Sequence, residues 1–225
     1  MKNYDIILFD LDGTLTDSAE GIVNCAEHAL NSLGITEPDR SRLLRFIGPP
    51  LIDSFMDFYG LSREDAVKAV AAYRERYPVK GIFENRVYEG IPEALDMLKK
   101  GGKRLAVATS KPEVFALRIL DYFDLAKYFE VVTGAELSGE RNAKCEVIEE
   151  CLKRLGNPDK SAVLMVGDRK HDVEGAKFCG VDCAGVKFGY AEENELENAG
   201  AKYVFDTPLQ LADFLCSAGC QLPVD

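Results

Sequence analysis

Residues 6–17 read IILFDLDGTLTD, and the fold is decided by how this stretch is read. Its four leading residues, Ile6, Ile7, Leu8 and Phe9, leave no polar face. That is the pattern of a strand covered on both sides in a parallel sheet. Asp10 and Asp12 follow two residues apart, so in extended backbone their side chains point the same way. Gly13 then allows a sharp turn. Similar apolar runs recur at 105–108 (LAVA), 129–132 (FEVV), 162–166 (AVLMV), 183–186 (CAGV) and 203–205 (YVF). Helical patterns lie between them. Pro92 opens one helix, which Gly101 and Gly102 close, and Pro112 opens the next. Residues 142–155 carry a stripe of Val147, Ile148, Cys151, Leu152 and Leu155 that ends at Gly156. Shorter helices are predicted at 173–178, 192–199 and 209–214. Alternating strands and helices read as an α/β fold with a doubly wound parallel, Rossmann-like sheet.

One stretch breaks the alternation. Residues 16–87 hold no convincing strand. The spacing Asp17-x-x-Glu20 resembles a capping box, followed by a helix burying Ile22, Val23, Ala26, Ala29, Leu30 and Leu33 before Gly34. Further helices are predicted at 39–47, 51–59 and 62–77, the last stopped by Pro78. About seventy residues is too long for one crossover connection. The expected organisation is therefore an α/β core from residues 1–15 and 88–225, with a helical cap subdomain, 16–87, inserted after the first strand.

Composition narrows the function. The chain has 225 residues, 47% hydrophobic and 29% charged, a normal globular balance. With 27 Lys and Arg against 38 Asp and Glu, the net charge is −11. Such a chain is a poor non-specific binder of nucleic acid polymers and a poor match for an anionic membrane surface. No signal peptide or bilayer-spanning run is present, so the expected location is the cytoplasm. The seven cysteines, at 25, 145, 151, 179, 183, 216 and 220, include no CxxC pair, and only His171 lies near them. They are expected to be reduced thiols packed as small core residues rather than a zinc site. No feature of the sequence sets an oligomeric state.

Four short segments follow four of the strands. They are Asp10 to Asp17; Thr109, Ser110 and Lys111; Lys144 near a helix start; and GDRKHD (167–172), with Asp168 and Asp172 four apart. The carboxyl ends of strands in an open parallel sheet border one crevice, where ligands bind. Taken singly, each segment is an ordinary turn, helix cap or solvated residue; their order on successive strands is what points to a site. Clustered carboxylates repel one another, and a divalent cation relieves the repulsion. Oxygen-only ligands suit magnesium rather than zinc. Carboxylates, magnesium, a hydroxyl and a lysine together suit phosphoryl transfer. Asp10 would be the nucleophile that forms an aspartyl-phosphate. Asp12 would be the acid for the leaving oxygen and then the base for water. Thr109 would hydrogen-bond a phosphoryl oxygen.

On these motifs the chain resembles the haloacid dehalogenase superfamily, in the phosphoglycolate-phosphatase-like branch with a helical cap after the first strand. The resemblance covers nearly the whole chain. The stretches FIGPPLIDSF (46–55), VATSKP (107–112) and SGERNAK (138–144) look similar to the 5′-nucleotidase-like group. The resemblance implies Asp10 as nucleophile and Asp12 as acid/base. It implies magnesium held by the Asp10 carboxylate, the Asp12 backbone carbonyl and Asp168, with Asp172 orienting metal-bound water or Lys144. It also implies that Thr109, Ser110 and Lys111 hold the phosphoryl group. Gly48, Pro49 and Pro50 would form a substrate-selecting cap loop, although a plain helix–helix turn fits them equally well. Asp12 sets the chain apart from dehalogenases and phosphonoacetaldehyde hydrolases. Ile22 stands where hexose-phosphate mutases carry a cap histidine, and His171 reads as a loop residue.

The implied activity is magnesium-dependent hydrolysis of a small phosphorylated metabolite. Nucleoside 5′-monophosphates come first, then phosphoglycolate or another small ester. The cap is expected to close over substrate about hinges near 16–18 and 84–88. A reading from another class is a receiver-like phospho-acceptor module, which combines similar groups but needs little more than half of this length and no helical insertion.

Overall fold

The computed structural model describes residues 2–138 and 141–217. In chain order the strands are β1 (Ile6–Phe9), β2 (Thr16–Asp17), β3 (Arg86–Val87), β4 (Arg104–Pro112), β5 (Val131–Ala135), β6 (Val163–Gly167), β7 (Asp182–Val186) and β8 (Tyr203–Phe205). The α-helices are α1 (Ala19–Ser32), α2 (Leu51–Tyr59), α3 (Arg63–Arg76), α4 (Ile91–Lys100), α5 (Glu113–Tyr122), α6 (Lys144–Arg154), α7 (Lys170–Phe178), α8 (Glu195–Ala199) and α9 (Pro208–Ser217). The chain divides into two compact units, Met1–Leu15 with Val87–Asp225, and Thr16–Arg86.

In the first unit six strands form one sheet in the order β5-β4-β1-β6-β7-β8, and every neighbouring pair is parallel. The chain steps outward from β1 to β4 and β5. It then crosses back past β1 to β6 and continues to β7 and β8. The strand order therefore reverses between β1 and β6, the switch point where such sheets open a crevice. β1 and β6 are buried along their whole length. Ile6 and Leu8 join Val147, Ile148, Cys151, Val173 and Ala176 in a core under α6 and α7. Alternation turns Ile7 and Phe9 to the other face, where Phe9 meets Phe129 edge-on at 6.2 Å. Helices α4 and α9 pack on each other.

Two strands differ from the apolar pattern. β4 runs on through Thr109, Ser110 and Lys111 to Pro112, and β5 spans Val131–Ala135 rather than 129–132. The ladder decides both. β5 follows its partner β4 into polar sequence, with a register shift between Ala108 and Pro112, while Phe129 leaves the strand for its ring contact with Phe9.

In the second unit, α1 packs on α3, on the 3₁₀ turn Arg40–Phe46 and on the wide turn Tyr77–Gly81, and α2 packs on α3. Residues 39–47 thus form a 3₁₀ turn instead of an α-helix. Leu43 and Phe46, three apart, eclipse on its buried side. Pro78 does not stop the helix outright. The chain widens into a π-helical turn closed by the Ile82 N–H on the Tyr77 carbonyl at 2.8 Å, which needs no N–H from proline. The expected capping box at Asp17 is not formed. Ser18 is the N-cap of α1, and the Asp17 carboxylate instead accepts the Ala19 N–H and pairs with Arg86 at 2.6 Å. Phe46 gathers Phe55, Phe58 and Tyr59 at 4.7, 5.7 and 6.1 Å between ring centroids. Phe46 and Phe55 are buried, so these rings are helical core.

Among the described residues no helix is long and apolar enough to cross a membrane, and none of the six described cysteines is in a disulfide. Cys220 lies outside the described residues, as do Gly139 and Glu140 of the SGERNAK stretch. Burial pushes the Cys151 and Cys179 thiols up to about 11, as suits packed, unreactive sulfur.

Candidate active site

Strand register builds the site. Phe9 is level with Val107 on β4 and Val166 on β6. The next residue, Asp10, continues the ladder by donating its N–H to the Val166 carbonyl at 2.9 Å. Asp10 keeps the parity of Ile6 and Leu8, so its carboxylate is aimed toward α6 and α7.

Lys144, the first residue of α6, meets it there. The ammonium Nζ lies 2.7 Å from Asp10 Oδ1 and 2.7 Å from Asp172 Oδ1, and it donates to the Ala108 carbonyl at 3.2 Å. A lysine in the first turn opposes the helix dipole. Burial also works against its charge, but Asp10 and Asp172 outweigh burial and hold it protonated. A residue that breaks a local rule and is rescued only by distant partners marks a functional position. Asp172, the third residue of α7, accepts the Arg169 N–H on Oδ2 at 3.0 Å and so caps its own helix, while Oδ1 faces Lys144.

Asp168 follows β6 directly and is fully buried. Its Oδ2 accepts the Tyr190 N–H at 2.7 Å, and its Oδ1 accepts the Thr14 hydroxyl at 3.4 Å. Backbone closes in from two sides. Gly13 sits at φ 83°, and a Cβ there would collide with the Asp168 carboxylate. A Cβ on Gly189 would collide with both the Gly13 carbonyl and Asp168.

Oxygen atoms of Asp10, Asp168 and Asp172 all lie within 4.8 Å of one another. Burial pushes Asp10 up to about 6; Lys144 pulls it down and Asp172 pushes it up. Asp168 is raised well above the usual carboxylate range by burial first, then by Asp172 and Asp10. Three buried carboxylates with one ammonium are short of positive charge, and they could hold a metal ion.

Asp12 stands beside this triad, not in it. Its Oδ2 lies 2.6 Å from Lys111 Nζ, and its buried Oδ1 has no hydrogen-bond partner among the described residues. The buried Thr109 hydroxyl accepts the Lys111 N–H at 3.2 Å. Ser110 is half-buried on β4 between them. Gly48 and Pro49 belong to the second unit, in the link between the 3₁₀ turn and α2, with Gly48 at φ 105°. His171 is an exposed residue of α7, not of a loop, 3.9 Å from Glu174.

Sequence reasoning missed the segment after β7. Gly189 and Tyr190 seat Asp168, and Glu195 anchors that segment to the start of α7 by accepting the Lys170 N–H at 2.8 Å and Arg169 Nε at 2.9 Å. The available signal was a glycine just past the carboxyl end of a strand bordering the same crevice. Thr14 was passed over because threonine after a turn glycine is common.

The family model for haloacid dehalogenase-like hydrolases matches residues 7–186, from β1 through the insertion to the end of β7. The chain belongs to the haloacid dehalogenase-like hydrolases. A protein of Pseudomonas aeruginosa named 5′-nucleotidase is 50% identical over 193 residues, 86% of this chain and 87% of that one. A protein of Mycobacterium tuberculosis named tyrosine-protein kinase PtkA is 41% identical over 203 residues, 90% of this chain and 69% of that one. The crystal structure of a predicted phosphatase from Clostridium acetobutylicum matches with a TM-score of 0.91 at 43% identity, covering 96% of this chain and 99% of that one. Membership of this hydrolase family sets aside the receiver-like alternative, because the match spans the helical insertion that a receiver lacks.

Proposed function

We propose that this haloacid dehalogenase-like hydrolase cleaves phosphate monoesters through a phosphoryl group carried on Asp10, with magnesium as cofactor. The observation that carries the reading is the buried triad of Asp10, Asp168 and Asp172, two of which, Asp10 and Asp172, pair with Lys144. The donor set fits the cation. It is oxygen-only, two of its carboxyls are pushed up by burial and mutual repulsion, and backbone packed on Asp168 leaves that carboxylate no room to turn away. Asp10 and Asp168 would hold magnesium together with the Asp12 carbonyl, and Asp172 would steady Lys144 beside them. Bound there, magnesium supplies positive charge to the phosphoryl oxygens.

The chain's own groups do the rest. Lys144 adds a second positive charge. Thr109 accepts the Lys111 N–H on its oxygen and hydrogen-bonds the Asp10 carboxylate, which sets its hydroxyl beside the nucleophile, where it would turn to a phosphoryl oxygen. Asp10 attacks phosphorus, and Asp12 protonates the leaving oxygen. Asp12 then takes a proton from the water that releases phosphate.

Nucleoside 5′-monophosphates lead as substrates, supported by the relative named 5′-nucleotidase. Phosphoglycolate or another small phosphorylated metabolite comes next. The test is a panel of nucleotides, phosphoglycolate and phosphotyrosine ranked by kcat/KM, with magnesium and with a chelator, alongside Asp10→Asn. A nucleotide at the head of the panel, silence in chelator and an inactive Asp10→Asn are expected. Undiminished turnover by Asp10→Asn would refute the mechanism.

A further inference from the structure

The sequence groups Lys111 with the residues that hold the phosphoryl group. The structure gives its ammonium another partner. Lys111 Nζ lies 2.6 Å from Asp12 Oδ2, and the two side chains are only 5% and 15% exposed. The second oxygen of that carboxylate, Oδ1, is buried with no hydrogen-bond partner among the described residues. The last torsion of an aspartate is broad and two-fold, so with no fixed partner its oxygens interchange. One short ion pair makes them different.

The backbone of Lys111 is fixed as well. Its N–H is donated to the Thr109 hydroxyl at 3.2 Å, and it lies where β4 shifts register against β5. Gly134 on β5 approaches so closely that a Cβ there would clash with the Lys111 carbonyl. A lysine meant to swing between solvent and ligand needs no such anchoring. A lysine meant to define one rotamer of a neighbour does.

We propose that Lys111 is a positioning residue that holds Asp12 Oδ2 and so commits Oδ1 alone to proton exchange with the reacting oxygens. The inference rests on the phospho-Asp10 reading above and assigns an atom to each half of the reaction. In the first half an Asp10 oxygen bonds to phosphorus, the bond from phosphorus to the leaving oxygen breaks, and that oxygen gains the proton as the Oδ1–H bond breaks. In the second, Oδ1 takes a proton from water as the water oxygen bonds to phosphorus and the Asp10–phosphate bond breaks.

The test uses the full chain with magnesium and p-nitrophenyl phosphate. Wild type is compared with Lys111→Met, Lys111→Arg, Asp12→Ala, the Asp12→Ala/Lys111→Met double variant and Asp10→Asn. Steady-state constants are read together with the fraction of enzyme trapped as acyl phosphate after acid quench. This leaving group needs little protonation, so a misplaced Asp12 slows the second half and phospho-enzyme accumulates. For Lys111→Met, kcat is expected to fall about 10- to 100-fold without a rise in KM, with more trapped acyl phosphate. Lys111→Arg should recover most of the rate. The double variant should match Asp12→Ala within about twofold, because two changes on one pathway do not multiply.

A raised KM at unchanged kcat would make Lys111 a substrate ligand and overturn the proposal. So would multiplied losses in the double variant, or a lowered melting temperature with kcat per folded molecule unchanged. Should Lys111→Met not fold, Lys111→Gln is read by the same criteria. Asp10→Asn separates the two levels. If it stays active, the phospho-Asp10 reading fails; if it is inactive while Lys111→Met only raises KM, the Lys111 inference fails alone.

Discussion

Replacing Lys144 with methionine keeps most of the length of the side chain and removes its charge. The ammonium lies 2.7 Å from both Asp10 and Asp172, and the side chain is 6% exposed. Without it, Asp10 and Asp172 lose their shared cation while Asp168 still lies within 4.8 Å of both. Removing one partner from a buried ion pair costs about 3–5 kcal/mol. A domain of this size changes its melting temperature by about 2–4 °C per kcal/mol, so Lys144→Met should melt about 6–20 °C lower at pH 7 in chelator. The deficit should depend on pH with a definite sign. Burial already raises Asp10 to about 6 against the pull of Lys144, and Asp168 is raised by burial and by its neighbours. Without Lys144 the Asp10 value rises further. A carboxyl whose folded value exceeds its unfolded value, about 3.9, contributes stability below the unfolded value and loses it as pH rises through the folded one. The variant should therefore approach wild type at pH 5 and fall farthest behind at pH 7 to 8. Scanning calorimetry of both proteins at four pH values measures this. A deficit that is the same at every pH, or absent at pH 7, would refute the charge argument.

Two further outcomes follow from the same geometry. Gly189→Ala puts a methyl group into the Gly13 carbonyl and Asp168, so it should cost about 1–3 kcal/mol of stability and displace the carboxylate. Phosphatase assays and melting curves would show turnover lost from a still-folded protein, and normal kcat would contradict the packing. Asp182, at the start of β7, is pushed up by burial, but the donors Lys2, Lys202 and Tyr4 outweigh this and hold it well below the usual range. Its stability contribution is present above the unfolded value, about 3.9, and is lost as pH falls from there through the folded value. Asp182→Asn should thus be less stable at pH 7 by about 1 kcal/mol, with a deficit that narrows steadily as pH falls below about 4, as read by denaturant titration.

What was legible in the sequence was legible for local reasons. Ile6 to Phe9 form a strand because an unbroken apolar run has few other ways to be buried. Asp10 belongs to the crevice because it is the first polar residue past that run. Lys144 was found by its place after the third strand. The segment around Gly189 was not found because its role is a close backbone approach to Asp168, and sequence spacing does not encode distances between segments. Residues 39–47, and the bounds of the strand expected at 129–132, differ from the sequence pattern because tertiary partners override it. Phe46 is drawn into an aromatic cluster, and β5 is lengthened by β4.

From the order of residues alone came the alternating α/β core, the helical insertion and the chemical types gathered at the strand ends, because burial periodicity and strand polarity are properties of the chain itself. Which carboxylates share a cavity was decided only on folding. Asp172 joined Asp10 and Asp168 in one cluster and shares Lys144 with Asp10, while Asp12 was drawn to Lys111. The physical reason is that a Coulomb contact depends on distances of a few ångströms between side chains carried on different segments of the chain, and packing of the sheet and its helices alone sets those distances.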